Sequence, residues 1–227
     1  MKSEPRGFFG RRKGHPLRAR QAALFETLLP RLALDLTSRA PSELAALFPF
    51  VAENVRLEIG FGGAEHLVAE AQAYPRTGFI GCEPFVNGMA KALLAIEELG
   101  LTNIRVHHGD AVDLLVWLPA HSLARVDLLY PDPWPKRRHW KRRFVSDANV
   151  AALARVLCAG GEFRFATDWA NYAEWTLLRL LRSHDFTWVA ERADDWRKPW
   201  AGYFSTRYEA KAKREGRAPT YLIFRRN

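Results

Sequence analysis

Val55-Arg56-Leu57-Glu58-Ile59-Gly60-Phe61-Gly62-Gly63 reads as a short strand running into a glycine turn, and the helix beyond it carries Leu67, Val68 and Ala71. The same unit recurs on the C-terminal side. Thr77 to Cys82 is a second strand, before a helix from Phe85 to Leu99 with Gly100 as its stop. Asn103 to His107 is a third strand, ending at Gly109-Asp110 before a short helix, and Val126 to Tyr130 is a fourth. Ser146 is placed to N-cap the next helix, with Val145 and Val150 as a hydrophobic staple and Gly160-Gly161 as its end. Glu162 to Ala166 is a fifth strand, ending at Thr167-Asp168 before a helix from Trp169 to Leu181. Thr187 to Glu191 and Tyr221 to Arg225 read as further strands, with an irregular aromatic loop over 194–205 between them. Regular alternation of strand and helix predicts an α/β fold, a mostly parallel sheet covered on both faces.

On the N-terminal side, residues 1–16 are basic and glycine-rich and read as a flexible arm. Leu17 to Leu36 carries Leu24, Leu28 and Leu32 at helical spacing, interrupted at Pro30, and 41–54 reads as a connection with a short helix. The expectation is one domain over 17–227, its N-terminal helix packed on a sheet body spanning 51–227. Lys and Arg total 34 against 25 Asp and Glu, a formal charge of +9 that favours a polyanionic partner. Cys82 and Cys158 form no C-x-x-C, and His107-His108 would point to opposite faces of a strand, so neither disulfide nor metal site is expected. No run approaches the roughly 18 apolar residues of a membrane span, and no signal peptide is visible, so a cytoplasmic protein is expected.

Acids mark the strand ends. Glu58 precedes the first glycines, Glu83 ends the second strand, and Asp110, Asp132 and Asp168 follow the third, fourth and fifth. That edge is where ligands bind in open α/β sheets. Singly, each acid reads equally well as a loop carboxylate or a helix cap. Together they suit a cationic ligand. Glu58 would repel the pyrophosphate of a dinucleotide, whereas S-adenosylmethionine brings an ammonium, a sulfonium, ribose hydroxyls for Glu83 and an adenine amine for Asp110.

After the fourth strand comes Tyr130-Pro131-Asp132-Pro133-Trp134-Pro135-Lys136, then Arg137, Arg138, His139, Trp140, Lys141, Arg142 and Arg143. The prolines exclude helix and central strand, so Asp132 is held rigidly at the sheet edge. The cationic, aromatic-bearing loop beyond it fits a nucleic acid as well as it fits a solvated charge run. Thr206-Arg207-Tyr208-Glu209 matches a capping box, with Gly216 stopping a short helix.

These motifs, with Gly10-Arg11-Arg12, Gly81-Cys82-Glu83-Pro84 and Thr167-Asp168-Trp169-x-x-Tyr172, mark a chain that resembles the bacterial tRNA (guanine-N7)-methyltransferases of the TrmB type from Phe9 onward. The resemblance implies a class I, Rossmann-like methyltransferase fold with seven strands, the last antiparallel. It implies methyl transfer from S-adenosylmethionine to N7 of a guanine in the tRNA variable loop, at position 46. It assigns Glu58, Gly60, Gly62, Glu83, Asp110 and Asp132 to the cofactor, with Asp132 also catalytic. Lys136, Asp168 and Thr206 to Glu209 fall to the substrate, and Arg138, His139, Trp140, Lys141, Arg142 and Arg143 to RNA. Ala64 stands where many members have a third glycine, and is expected to tighten the approach to the cofactor. Trp140 replaces the usual asparagine. No protein partner is implied, and monomer and homodimer remain open. The rival readings are a methyltransferase of another RNA or of protein, an idle RNA-binding module, and, less well fitted, an NAD-dependent dehydrogenase.

Overall fold

The computed structural model describes residue 10 and residues 12–227, so most of the expected basic arm lies outside the described residues. The strands are β1 (Asn54–Ile59), β2 (Thr77–Cys82), β3 (Ile104–His107), β4 (Leu123–Leu129), β5 (Leu157–Thr167), β6 (Phe186–Trp188) and β7 (Thr220–Arg226). They form one sheet in the order β3-β2-β1-β4-β5-β7-β6. β1 to β5 pair in parallel, and β7 runs antiparallel between β5 and β6. The helices are α1 (Ala19–Thr27), α2 (Leu29–Leu32), α3 (Glu65–Ala73), α4 (Val86–Leu99), α5 (Ala111–Trp117), α6 (Asp147–Val156), α7 (Ala170–Arg182), α8 (Asp194–Arg197) and α9 (Arg207–Arg214). None is long and apolar enough to cross a membrane.

Strand periodicity divides the interior in two. Leu57, Ile59, Val126, Leu128, Phe163 and Phe165 pack with α5, α6 and α7. Phe79, Ile104 and Val106 pack with α1, α3 and α4. The alternate residues of β1 and β4, namely Arg56, Glu58, Arg125 and Asp127, therefore lie on the face that α3 covers, where charge needs partners.

Several boundaries differ from expectation for visible physical reasons. The N-terminal helix breaks before Pro30, which sits in the first turn of α2, where its missing N–H is harmless. It ends at Leu32 rather than Leu36, because Ala33 bridges Val106 and the Leu34 N–H donates to the Val106 carbonyl at 2.9 Å. Gly160-Gly161 does not end α6. That helix stops at Val156, β5 begins at once, and Gly160 (φ 76°) lies inside the strand beside a register shift against β4. Asp168 is not the cap of α7, because Trp169 holds that position. The basic run is a 3-10 helix, Arg137–Arg142, rather than an irregular loop, and α8 forms one turn inside 194–205.

Candidate active site

The strand order reverses between β1 and β4, so the crevice at their carboxyl ends is the ligand position of such a sheet. Gly60 and Gly62 turn there with φ of 72° and 56°. A Cβ on Gly60 would meet nothing within 4 Å, so the turn opens onto space. A Cβ on Gly62 would lie 3.0 Å from the Tyr208 ring and 3.3 Å from Arg207 Nη2. The start of α9 therefore roofs the glycine turn, and two motifs about 145 residues apart in sequence meet. Thr206 caps α9, its Oγ1 accepting from the Glu209 N–H at 3.1 Å, which is half of the expected capping box. Ala64 adopts φ 67° and is fully buried among Phe61, Leu67 and Met89. Its side chain is enclosed in the core rather than exposed at the crevice.

The acids gather at this edge, each with a different local role. Glu83 locks the turn, accepting from the Gly62 N–H at 2.6 Å and the Phe85 N–H at 2.9 Å. Burial raises its pKa, while those two N–H bonds oppose the rise. Asp110 caps α5 by accepting from the Val112 N–H at 2.9 Å. Asp132 stands exposed at the rim, where partial desolvation by the surrounding loop raises its pKa above the ordinary 3.8. Asp168 accepts from Arg217 Nε at 2.6 Å. Arg217 was not anticipated, because nothing in the spacing ties it to a residue 49 positions earlier.

Glu58 is 5% exposed and is not free to face a ligand alone, since its Oε2 lies 2.7 Å from His66 Nδ1. It belongs to a buried network beneath α3. Glu70 Oε2 accepts from Arg125 Nη2 at 2.5 Å and Arg56 Nη1 at 2.9 Å, and Arg125 Nε donates to Asp127 Oδ2 at 2.8 Å. His66 at i and Glu70 at i+4 was the available sequence signal. Burial opposes protonation of His66, but Glu58, Asp127 and Glu70 outweigh it and raise its pKa above 6.5. The stability that charged His66 contributes is thus fully present below pH 6.5 and is lost as pH rises through the folded-state value. His66→Asn should melt below the parent at pH 6, and the gap should narrow as pH rises through the folded-state value. A gap independent of pH would mean that His66 is neutral in the fold.

The proline loop is strained. Tyr130 (φ 50°) and Trp134 (φ 45°) are left-handed on either side of Asp132. Each such residue costs about 1–3 kcal/mol, which surrounding contacts must hold. Arg142 lies over the Trp134 ring at 4.9 Å, His139 meets the same ring edge-on, and Trp140 Nε1 donates to the Pro135 carbonyl at 3.4 Å. Lys136, Arg138 and Lys141 are exposed, as a nucleic-acid contact requires. Arg143 is 3% exposed and is packed inward, contrary to its expected place in the RNA-facing run. Trp140 packs on Trp175, their centroids 5.6 Å apart.

Behind the loop, Trp200, Tyr203 and Tyr221 pack edge to face with centroids 5.0–6.0 Å apart. Tyr221 donates to Glu209 Oε1 at 2.7 Å, and Lys213 also pairs with that oxygen. Burial alone would raise the Glu209 pKa, but the bonds from Lys213, Ser205 and Tyr221 hold it below the usual carboxylate range. Glu209 is therefore an ionised carboxylate under the start of α9.

The profile of the Methyltransf_4 methyltransferase family matches residues 52–222. A tRNA (guanine-N(7)-)-methyltransferase of Rhodopseudomonas palustris is 63% identical over 219 residues, covering 96% of this chain and 86% of that protein. One from Bradyrhizobium diazoefficiens is 62% identical over 222 residues, covering 98% and 94%. The chain belongs to the tRNA (guanine-N7)-methyltransferase family. Among solved structures, the 16S rRNA methyltransferase KamB superposes with a TM-score of 0.59 at 16% identity, over 84% of this chain and 95% of KamB. That likeness establishes the class I methyltransferase fold.

The methyl donor of this methyltransferase is S-adenosylmethionine, and the residues at the edge fit it. A side chain at Gly60 would project into the open space above the turn. The carboxylates of Glu83, Asp110 and Asp132 lie at the same carboxyl edge of the strands, where negative charge suits a cationic ligand and would repel an anionic one.

Proposed function

We propose that this enzyme methylates N7 of the guanine at position 46, in the variable loop of tRNA, in the cytoplasm. The supporting observation is identity above 60% with tRNA (guanine-N(7)-)-methyltransferases over nearly the whole chain. In this reading Glu83 accepts from the ribose hydroxyls and Asp110 from the adenine amine, beside Gly60 and Gly62, with Glu58 contributing negative charge from beneath. When bound, S-adenosylmethionine supplies a methyl group activated by its sulfonium. Guanine N7 carries an in-plane lone pair and no proton, so the chain need provide no general base. Its task is to place the base and to stabilise the positive charge that appears on the ring. Asp132 supplies that stabilisation from the crevice rim. Lys136, Asp168 and the Thr206–Glu209 segment hold the nucleotide, the buried Glu209 fixing the start of α9 from within. Arg138, His139, Lys141 and Arg142 of the 3-10 helix face the RNA backbone.

The test is nucleoside analysis of tRNA after incubation with enzyme and labelled S-adenosylmethionine. Label should appear only as 7-methylguanosine, and a tRNA with adenine at position 46 should take up none. Label in another nucleoside, or equal label in that variant tRNA, would overturn the reading.

A further inference from the structure

Arg143 ends the cationic run, yet it is built into the protein rather than presented from it. Its Nε donates to the Pro133 carbonyl at 2.9 Å, one residue beyond Asp132. Its Nη2 donates to Asn171 Oδ1 at 2.8 Å, and its Nη1 lies 3.5 Å from the Asn171 carbonyl. The guanidinium faces the rings of Trp140 and Tyr172 at 4.8 Å and of Trp175 at 5.1 Å. None of these contacts is a carboxylate, so charge is balanced by ring faces and carbonyl dipoles. A phosphate would need the edge of the fork, and that edge is occupied. The surroundings are themselves fixed. Trp175 Nε1 donates to the Val145 carbonyl at 2.7 Å, and the Tyr172 hydroxyl accepts from the Val145 N–H at 3.3 Å.

The loop that Arg143 grips is the one that needs gripping. Tyr130, Asp132 and Trp134 each precede a proline, and two of the three are left-handed. Relaxation of that strain would move Asp132, whose carboxylate gives its benefit only when already aimed at the reacting ring. We propose that Arg143 is a positioning residue, a clasp between α7 and the Pro133 carbonyl that holds Asp132 at the crevice, and that it does not contact RNA. The proposal rests on the electrostatic role given to Asp132 above. Lysine at position 143 would keep the charge but lose the fork, and alanine at position 171 would remove the far anchor from an exposed helix position.

The experiment measures kcat at saturating tRNA, cofactor affinity by calorimetry, and the salt dependence of tRNA binding. Arg143→Lys should lower kcat roughly 10- to 100-fold, the scale of a misplaced catalytic group, with cofactor affinity unchanged. Asn171→Ala should lower kcat in the same sense and carries the test if Arg143→Lys does not fold. Neither should alter the log–log salt slope, whereas Lys141→Gln, on the exposed side, should flatten it by roughly 0.7–0.9. In an Asp132→Asn background, Arg143→Lys should have little further effect on kcat. A flattened slope in Arg143→Lys, parental kcat in both variants, or a full additional loss in the Asp132→Asn background would overturn the proposal. If Asp132→Asn alone left kcat unchanged, the role of Asp132 would fail first, and the two failures are thereby told apart.

Discussion

Asp132→Asn should lower kcat by roughly 10²–10³, the usual scale for removing one preorganised electrostatic group, while the fold and most tRNA affinity survive. During transfer, positive charge leaves the sulfonium and appears on the imidazole ring of guanine. A carboxylate beside that ring stabilises the transition state more than the neutral bound base, which is the condition for raising the rate. Asparagine keeps the size and loses the charge. The loop is already strained at Tyr130 and Trp134 and stiffened by three prolines, so little reorganisation offsets the benefit. Ionisation of Asp132 should therefore show as an acid limb in the rate profile that vanishes in the variant. A stable Asp132→Asn protein with near-parental kcat would rule out the role. Loss of cofactor binding alone would move Asp132 into the methionine subsite.

Glu70→Ala should be strongly destabilising. Glu70 Oε2 is the shared acceptor of Arg56 and Arg125, both on strands of the sheet and beneath α3. Removing one member of a buried ion network leaves the others charged and uncompensated, which costs about 3–5 kcal/mol. Asp127 still pairs with Arg125, so the loss should fall near the lower end. For a chain of this size that corresponds to a melting temperature lower by roughly 6–12 °C. Denaturant unfolding followed by far-ultraviolet circular dichroism reads it directly. A loss below about 1 kcal/mol would mean that water reaches the two guanidinium groups.

The sheet was legible because its signals are local. Thr77–Cys82 is bounded by turn residues and coincides with β2, and Gly100 is left-handed after α4 as a helix stop should be. The acids at the strand ends were legible for a similar reason, since the position of each follows from the end of its strand. The partners of those acids were not. Glu58 meets His66 and Asp168 meets Arg217 only through folding. The basic run failed as a unit because composition treats its cations as equivalent. Arg143 differs from Arg138 not in type but in having Trp140, Tyr172 and Trp175 around it, and two of those rings arrive on α7. Gly160-Gly161 read as a helix stop because a bulge and a stop use the same residue for the same positive φ.

The short bridge from Ala33 and Leu34 to Val106 has a consequence beyond this one molecule. An open sheet ends in two rows of unpaired backbone groups that invite strands from other chains and so seed aggregation. Here β3, one margin of the sheet, is only four residues long, and Leu34 takes the Val106 carbonyl that a foreign strand would use. The opposite margin, β6, has three residues. The segment leaving α2 thus acts as a guard rail, occupying a backbone acceptor on that margin that a strand from another chain would otherwise take.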